Sequence, residues 1–408
     1  MEKKIEKIII AIFMIIVMLS GFVYSKGYRY VDEMIDSVVA DVKTENGKER
    51  EKDASGNVIP SISTVLSNLS SGLLFKQDMV DINGSVAKNL GMREIYKNSG
   101  GVVLENGYVV GVYKQTTTDY EIQQMKGLKK FLDERDIDLL YVNAPTKYYE
   151  DSYVEKDLGI KSYVNDNANR FLERLDEAGI NYIDLREHLV EKDSFEYFFK
   201  TDHHWTPYAG KTAAKVIVEE LNNEYGYDID LSLYDDNNFT FKEYKNAWLG
   251  EQGRKLGVSY VGLDDYTSVL PKYDTSFTVV NEETKRNGKF EEVLVSRSTY
   301  LPENNTNKYL AKSWHYSYNG NTGIICNNNV LEGKKILVLG DSMAVVTNTF
   351  LALGVSEVRG LVLRGYNGSI REHIEANDYD IVIVAYLETM IGAHDDESSA
   401  NYKMFNFE

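Results

Sequence analysis

An acid, two imidazoles and an alcohol are the residues of this chain best suited to chemistry. The acid and imidazoles share one segment, Thr201-Asp202-His203-His204-Trp205-Thr206-Pro207. The alcohol ends Gly340-Asp341-Ser342, which closes a run of β-formers, Lys335 to Leu339, and precedes a helix-like stretch, Ala344 to Leu353. A serine hydroxyl is a weak nucleophile until an imidazole takes its proton and a carboxylate holds that imidazole in the right tautomer. Ser342 is therefore read as nucleophile, His204 as base, Asp202 as the orienting acid and His203 as support. Residues i and i+2 of an extended segment project to the same side, so Asp202 is expected to meet His204 while His203 points away. At a strand-to-helix turn Ser342 would lie beside the free N–H groups of a helix start, which suit the oxyanion formed on attack at an ester carbonyl. Gly-Asp-Ser-Met lacks the second glycine of the Gly-x-Ser-x-Gly elbow, so an ordinary turn with Ser342 as N-cap stays open.

Both segments must be held by larger elements, and the chain supplies an alternation of helix and strand. A helix-like Tyr120 to Arg135 precedes an apolar strand, Asp138 to Asn143, closed by Pro145. Next come a helix over Asp166 to Glu177, a strand over Ile180 to Leu185, and a helix starting at Thr206-Pro207, where Thr is a good N-cap and Pro suits the first turn. After residue 332 the alternation resumes, with strands at 335–339, 358–363 and 379–386 and helices at 344–353 and 370–375. Near-continuous apolar strands joined by helices predict an α/β fold, a parallel sheet covered on both faces. Between 227 and 332 the helical period fades into a stretch rich in Asp, Asn, Thr, Tyr and Gly, with β-like runs at Phe277 to Val280 and Glu292 to Ser296. That stretch is expected to be an inserted, mostly β lobe, dividing one α/β domain into parts at 61–226 and 333–408.

At 408 residues with 43% hydrophobic content, the chain can bury a sizeable core. Its net charge of -18 disfavours nucleic acid and anionic membrane surfaces. Cys326 is the single cysteine, which excludes an intramolecular disulfide and a thiolate zinc cluster. Tyrosine is abundant, with 30 copies, and suits both sugar-binding clefts and ordinary packing. Lys3, Lys4 and Lys7 precede an apolar run from Ile8 to Tyr24. This predicts a transmembrane anchor or signal peptide over 1–26, with the bulk of the chain outside the cell membrane, single-pass if anchored and secreted if the leader is cleaved. Residues 27–60, dense in Lys and Glu, read as a stalk or linker.

Thr201-Asp202-His203-His204-Trp205-Thr206 resembles the signature of the bacterial DHHW proteins, which are similar to the alginate O-acetylation proteins of the SGNH hydrolase-like superfamily. In those relatives the Asp-x-His segment precedes the serine turn, and Asp202, His204 and Ser342 match their triad. Asn143-Ala144-Pro145-Thr146-Lys147 looks like the family's Pro-x-Lys segment after a strand. The resemblance implies an SGNH-like α/β domain and acyl transfer to an extracellular polysaccharide. It also implies a membrane-bound O-acyltransferase as acetyl donor, which agrees with an outward-facing, anchored chain. Ser342 N–H is expected to be one oxyanion donor, and Asn143 and Tyr366 are candidates for the other.

Other chemistries stay open at this point. An acetyl esterase would share the acyl-enzyme and differ only in whether water or a sugar hydroxyl attacks it. A non-catalytic carbohydrate-binding scaffold would also suit the tyrosines and the large insertion. Asp202-His203-His204 raises a metal-dependent phosphoesterase, but His188, His315, His373 and His394 are scattered, and no metal is expected. No phosphate-cradling glycine loop marks a strand-to-helix junction, so no nucleotide cofactor is expected.

Overall fold

The structure is a computed structural model. It describes residues 76–93, 101–281, 283–295, 318–321, 323–392 and 401–408. The expected anchor over 1–26 and linker over 27–60 lie outside them. No helix among the described residues is long and apolar enough to cross a membrane. From Val80 to Glu408 the chain forms one compact unit; of the preceding unit, Met1–Met79, only the start of a helix, Lys76–Asn89, is described.

Two short strands, β1 (Val102–Val103) and β2 (Val109–Val110), pair antiparallel. The chain then lays down β3 (Asp138–Ala144) and β4 (Tyr182–Asp184), followed by an antiparallel hairpin of β5 (Phe239–Trp248) and β6 (Asp264–Pro271). After these come β7 (Phe277–Val280), β8 (Lys285–Gly288), β9 (Ile324–Asn327), β10 (Lys335–Gly340), β11 (Glu357–Leu361) and β12 (Ile381–Leu387). Eight of them form the central sheet in the order β4-β3-β12-β10-β11-β9-β7-β8. The first five in that order run parallel, and β9, β7 and β8 join antiparallel.

The principal helices are α1 (Asp119–Asp133), α2 (Val164–Glu177), α3 (Pro207–Tyr225), α4 (Ala344–Leu351) and α5 (Ile370–Glu375). Alternation along each strand divides the core into two layers, because successive side chains leave opposite faces of a sheet. Ile336 and Val338 of β10 and Ile381 and Ile383 of β12 pack with α3 and α4. Leu337, Leu339, Val382 and Val384 pack on the other face with Leu128 of α1, Phe171 of α2 and Ile370 of α5. This double burial explains why the parallel strands read as unbroken apolar runs.

The described residues of 227–332 do not stand apart as the expected inserted lobe. Strands β7, β8 and β9 from this stretch extend the sheet beyond β11, so the open edge of β11 is paired. Among the described residues of this stretch, β5 and β6 form a separate two-stranded sheet. The β-like reading of Glu292 to Ser296 is corrected in part: Phe290–Val293 is a helical turn, and Val295 makes an isolated bridge to Tyr318. Glu292 accepts from the Lys289 N–H at that turn's start, a local bond that competes with strand formation.

Candidate active site

Helices α3 and α4 lie on the same face of the sheet, and their packing brings the two chemical segments together. Thr206 caps α3 through a bond from Ala209 N–H (3.3 Å), with Pro207 in the first turn, as the sequence predicts. Gly210 permits the helices to approach: a Cβ there would lie 2.5 Å from Val346 Cγ1 of α4. The indole N–H of Trp205, buried beside the motif, donates to Met343 O (3.1 Å) and ties the segment to the serine turn.

Within this frame Asp202, His204 and Ser342 are hydrogen-bonded in series. His204 Nδ1 lies 2.6 Å from Asp202 Oδ1, and His204 Nε2 lies 2.7 Å from Ser342 Oγ. An ionised carboxylate only accepts, so the imidazole proton belongs on Nδ1 and the Nε2 lone pair faces the hydroxyl. Burial raises the Asp202 carboxyl, but the hydrogen bond from His204, the electrostatic pull of the His204 and His203 rings, and the Glu251 N–H outweigh it and hold the group well below the carboxylate range. Ser342 itself is partly open, its hydroxyl is engaged by His204, and α4 starts beyond it with Met343 in the capping position. Its turn is stapled by Asp341, whose carboxylate accepts from Met343 N–H (2.8 Å) and, on the neighbouring strand's end, from Leu387 N–H (2.7 Å).

The acid and base meet for a reason other than strand alternation. Residues 201–204 form a tight turn in which His204 N–H donates to Asp202 Oδ1 (3.1 Å), an Asx-turn that folds residue i+2 back on the carboxylate. His203 consequently does not point away. Its ring lies 3.8 Å from that of His204 and its Nδ1 is 3.6 Å from Asp202 Oδ1. Partial burial of the ring and the neighbouring His204 push its imidazole below the usual range, which favours its neutral form.

Sequence reasoning missed the residues that brace the acid, because they lie about 50 to 60 positions downstream in the stretch read as an insertion. Glu251 N–H donates to Asp202 Oδ2 (2.7 Å) and Gly250 N–H to Thr201 Oγ1 (2.7 Å). Asp264 of β6 accepts from Lys200 N–H (2.6 Å), from Thr201 N–H (2.9 Å) and from the Thr201 hydroxyl. The only signal available was a glycine pair, Gly250 and Gly253, beside an acidic pair, Asp264 and Asp265. Lys147, the lysine of the Pro-x-Lys segment, lies behind this brace. Its Nζ donates to Val109 O (2.6 Å), Lys200 O (3.2 Å) and Gln252 Oε1 (3.2 Å). Burial pushes its ammonium down to about 7, against the pull of Asp264 and Asp202.

Two other candidates have partners of their own. Asn143 is buried on β3, two strands from β10, and its amide donates to Asp184 Oδ1 (3.2 Å). Tyr366 follows β11, one strand from β10, and its ring packs edge-on against His373 at 6.0 Å. Asp202, His203 and His204 place possible ligand atoms within 4.8 Å of one another. Both His204 nitrogens already serve Asp202 and Ser342, which leaves fewer than the three protein ligands of a usual catalytic zinc site.

Residues 111–250 match the family model described as the SGNH hydrolase-like domain of the acetyltransferase AlgX. The chain resembles the AlgX group of SGNH hydrolase-like proteins. Over 115 residues it is 29% identical to the alginate biosynthesis protein AlgX of Pseudomonas aeruginosa, a match covering 26% of this chain and 23% of that protein. The corresponding protein of Pseudomonas syringae pv. tomato is 27% identical over 115 residues, covering 27% of this chain and 24% of that protein. The chain thus spans about a quarter of the length of the curated relatives it matches. Among solved structures, Bacillus cereus PatB1 is similar with a TM-score of 0.60 and 20% identity over 76% of this chain and 100% of that one. A DHHW family protein from Eubacterium siraeum gives 0.54 and 14% over 75% and 96%. At such identities the likeness is one of fold. The match to residues 111–250 takes in Asp202, His204, Lys147 and Gly250; Ser342 lies beyond it.

Proposed function

We propose that this chain is an extracytoplasmic O-acetyltransferase that carries an acetyl group on Ser342 and passes it to a hydroxyl of a cell-envelope or secreted polysaccharide. The observation that supports this reading is the unbroken series Asp202–His204–Ser342, with both ring nitrogens of one imidazole committed at 2.6 and 2.7 Å. In the first half-reaction Ser342 Oγ attacks the acetyl carbonyl carbon while His204 Nε2 takes the hydroxyl proton. The tetrahedral oxyanion collapses, the donor's leaving group departs with that proton, and an acetyl-serine remains. In the second, an acceptor hydroxyl attacks the same carbon, His204 takes its proton, and Ser342 Oγ leaves and recovers it. Asp202 stays ionised throughout and stabilises the imidazolium formed in each half. Ser342 N–H, ahead of α4, is the donor we assign to the oxyanion.

The AlgX match supports acetyl as the group transferred. The apolar run at 8–24 supports an outward-facing chain held at the membrane, where a membrane-bound O-acyltransferase would deliver the acetyl group. Labelling with a serine-directed phosphonate, read by mass spectrometry, is expected to modify Ser342 in the native chain and nothing in Ser342→Ala. The same substitution is expected to lower turnover of an activated acetyl ester by at least about 10³-fold. Unchanged turnover in Ser342→Ala would overturn the proposal. Acetylated sugar appearing when an oligosaccharide acceptor is added would separate transfer from simple ester hydrolysis.

A further inference from the structure

The segment that carries the acid and base is bracketed by Lys200 and Thr206, and both residues line a separate cleft of about 680 Å³. That volume falls within the range of roughly 300 to 1,000 Å³ typical of small-ligand sites. One wall comes from the β5–β6 hairpin, and the aromatic residues lining the cleft include Tyr108, Tyr208 and Phe241. Phe241 is 41% exposed on a strand whose neighbours are Thr240, Lys242 and Glu243, so a large apolar ring is kept at the surface where polar residues prevail. Tyr208 lies 6.1 Å from Phe241, ring to ring, and its hydroxyl is within hydrogen-bond reach of two carboxylates, Glu191 (3.3 Å) and Asp236 (3.4 Å).

A second feature of the hairpin is independent of the rings. Its pairing is irregular between Tyr244 and Trp248, and Asn246, which lines the cleft, has φ of 47°, a left-handed conformation that Asn adopts more readily than other non-glycine residues. Asp265 holds this bend by accepting from Asn246 N–H (2.7 Å). Bulges of this kind re-aim the chain, and Asn246 lines the cleft together with Phe241 of the same strand.

The charges of the cleft restrict its occupant. Glu196, Asp236 and Asp265 line it against Lys192 and Lys200. Of the nearby cations, Lys211 pairs with Asp236, Lys245 with Asp265 (2.9 Å), and Lys192 lies 4.0 Å over the Tyr208 ring, and the two lining lysines are outnumbered by the lining carboxylates. A polyuronate carries one carboxylate per sugar and needs a surplus of cations, which this wall does not offer. Neutral sugars need what it does offer: apolar rings for their C–H faces, and carboxylates and an amide for their hydroxyls.

We propose that this cleft is the acceptor subsite and that it binds a neutral oligosaccharide in preference to a polyuronate. As a subsite for the acceptor it rests on the acyl-transfer reading of Ser342. The test is calorimetric titration of the chain at low salt with neutral hexasaccharides of glucose, galactose and N-acetylglucosamine, and with a mannuronate hexamer. At least one neutral hexamer is expected to bind at least about tenfold more tightly than the mannuronate hexamer, a difference of about 1.4 kcal/mol. Phe241→Ala is expected to weaken that binding about tenfold, with its unfolding midpoint in denaturant unchanged because Phe241 is a surface side chain. Absence of binding by every neutral hexamer, tighter binding of mannuronate, or unaltered binding in Phe241→Ala would each overturn the proposal. Neutral-sugar binding in a chain whose Ser342 is inert to the phosphonate would instead overturn the acyl-transfer reading and leave the cleft as a saccharide site.

Discussion

His204 has both ring nitrogens committed, and its tautomer is set by Asp202 rather than by His204 itself. Asp202→Asn keeps the shape and removes the anion, so the side-chain amide no longer enforces a proton on Nδ1 and no charge stabilises the imidazolium. Ester turnover is expected to fall by roughly 10³- to 10⁴-fold, measured with an activated acetyl ester, while the fold is retained. The same substitution changes the acid limb of stability. Asp202 is depressed in the folded chain, so its contribution is present above the ordinary carboxylate pKa of about 4 and is lost as pH falls through its lower folded value. The gap between wild type and Asp202→Asn in denaturant unfolding is therefore expected to be full at neutral pH and to shrink below about pH 4. At this scale the residue types and their spacing along the chain were legible. The position of His203 was not, because a side chain that accepts from the backbone two residues on turns a segment that polarity alone leaves extended.

Elements decide whether the acid is held. The loop ahead of the short helix Glu251–Leu256 runs so close to the motif that a Cβ on Gly250 would lie 2.4 Å from Asp202 Cβ and 2.5 Å from Thr201 O. Gly250→Ala is expected to push the loop off, removing the Glu251 N–H from Asp202 and the Gly250 N–H from Thr201. The outcome is a loss of turnover of tenfold or more with a destabilisation of about 1 to 3 kcal/mol, read from ester hydrolysis and denaturant unfolding. Turnover equal to wild type would show that the brace does not position the acid. The α and β elements of the sheet were readable from period and capping signals: the helix at Ile370–Glu375 and the strand at Phe277–Val280 fall where the pattern places them. Their pairing was not. Phe277–Val280 reads as part of a separate lobe until β9 is seen between it and β11, since a short strand's sequence carries its alternation but not its partner.

Across the whole molecule, ionisable groups buried behind the sheet's carboxyl edge couple stability to pH. Glu388, fully buried where β12 ends, accepts from Thr146 N–H (2.8 Å) and the Thr146 hydroxyl (2.6 Å). Arg186 gives its close contacts to Asp184, at 2.6 to 3.0 Å, and approaches Glu388 only to 3.9 Å. Burial therefore prevails and pushes the Glu388 carboxyl up to about 7. A carboxyl raised on folding contributes most below its unfolded value of 4.5 and loses that contribution as pH rises towards 7, by an amount on the order of 3 kcal/mol. Glu388→Gln is expected to flatten this part of the stability profile, measured by denaturant unfolding across that range; an unaltered slope would place the titration elsewhere. By itself the sequence determined the α/β alternation, the two chemical segments and their residue types, because periodicity, caps and short motifs are local. Only the tertiary structure decided that Gly250, Glu251 and Asp264 brace the acid, that Asn143 faces Asp184, and that an aromatic cleft adjoins the motif. Those relations join residues tens of positions apart, and such distances are set by how helices and strands pack rather than by the pattern within any one of them.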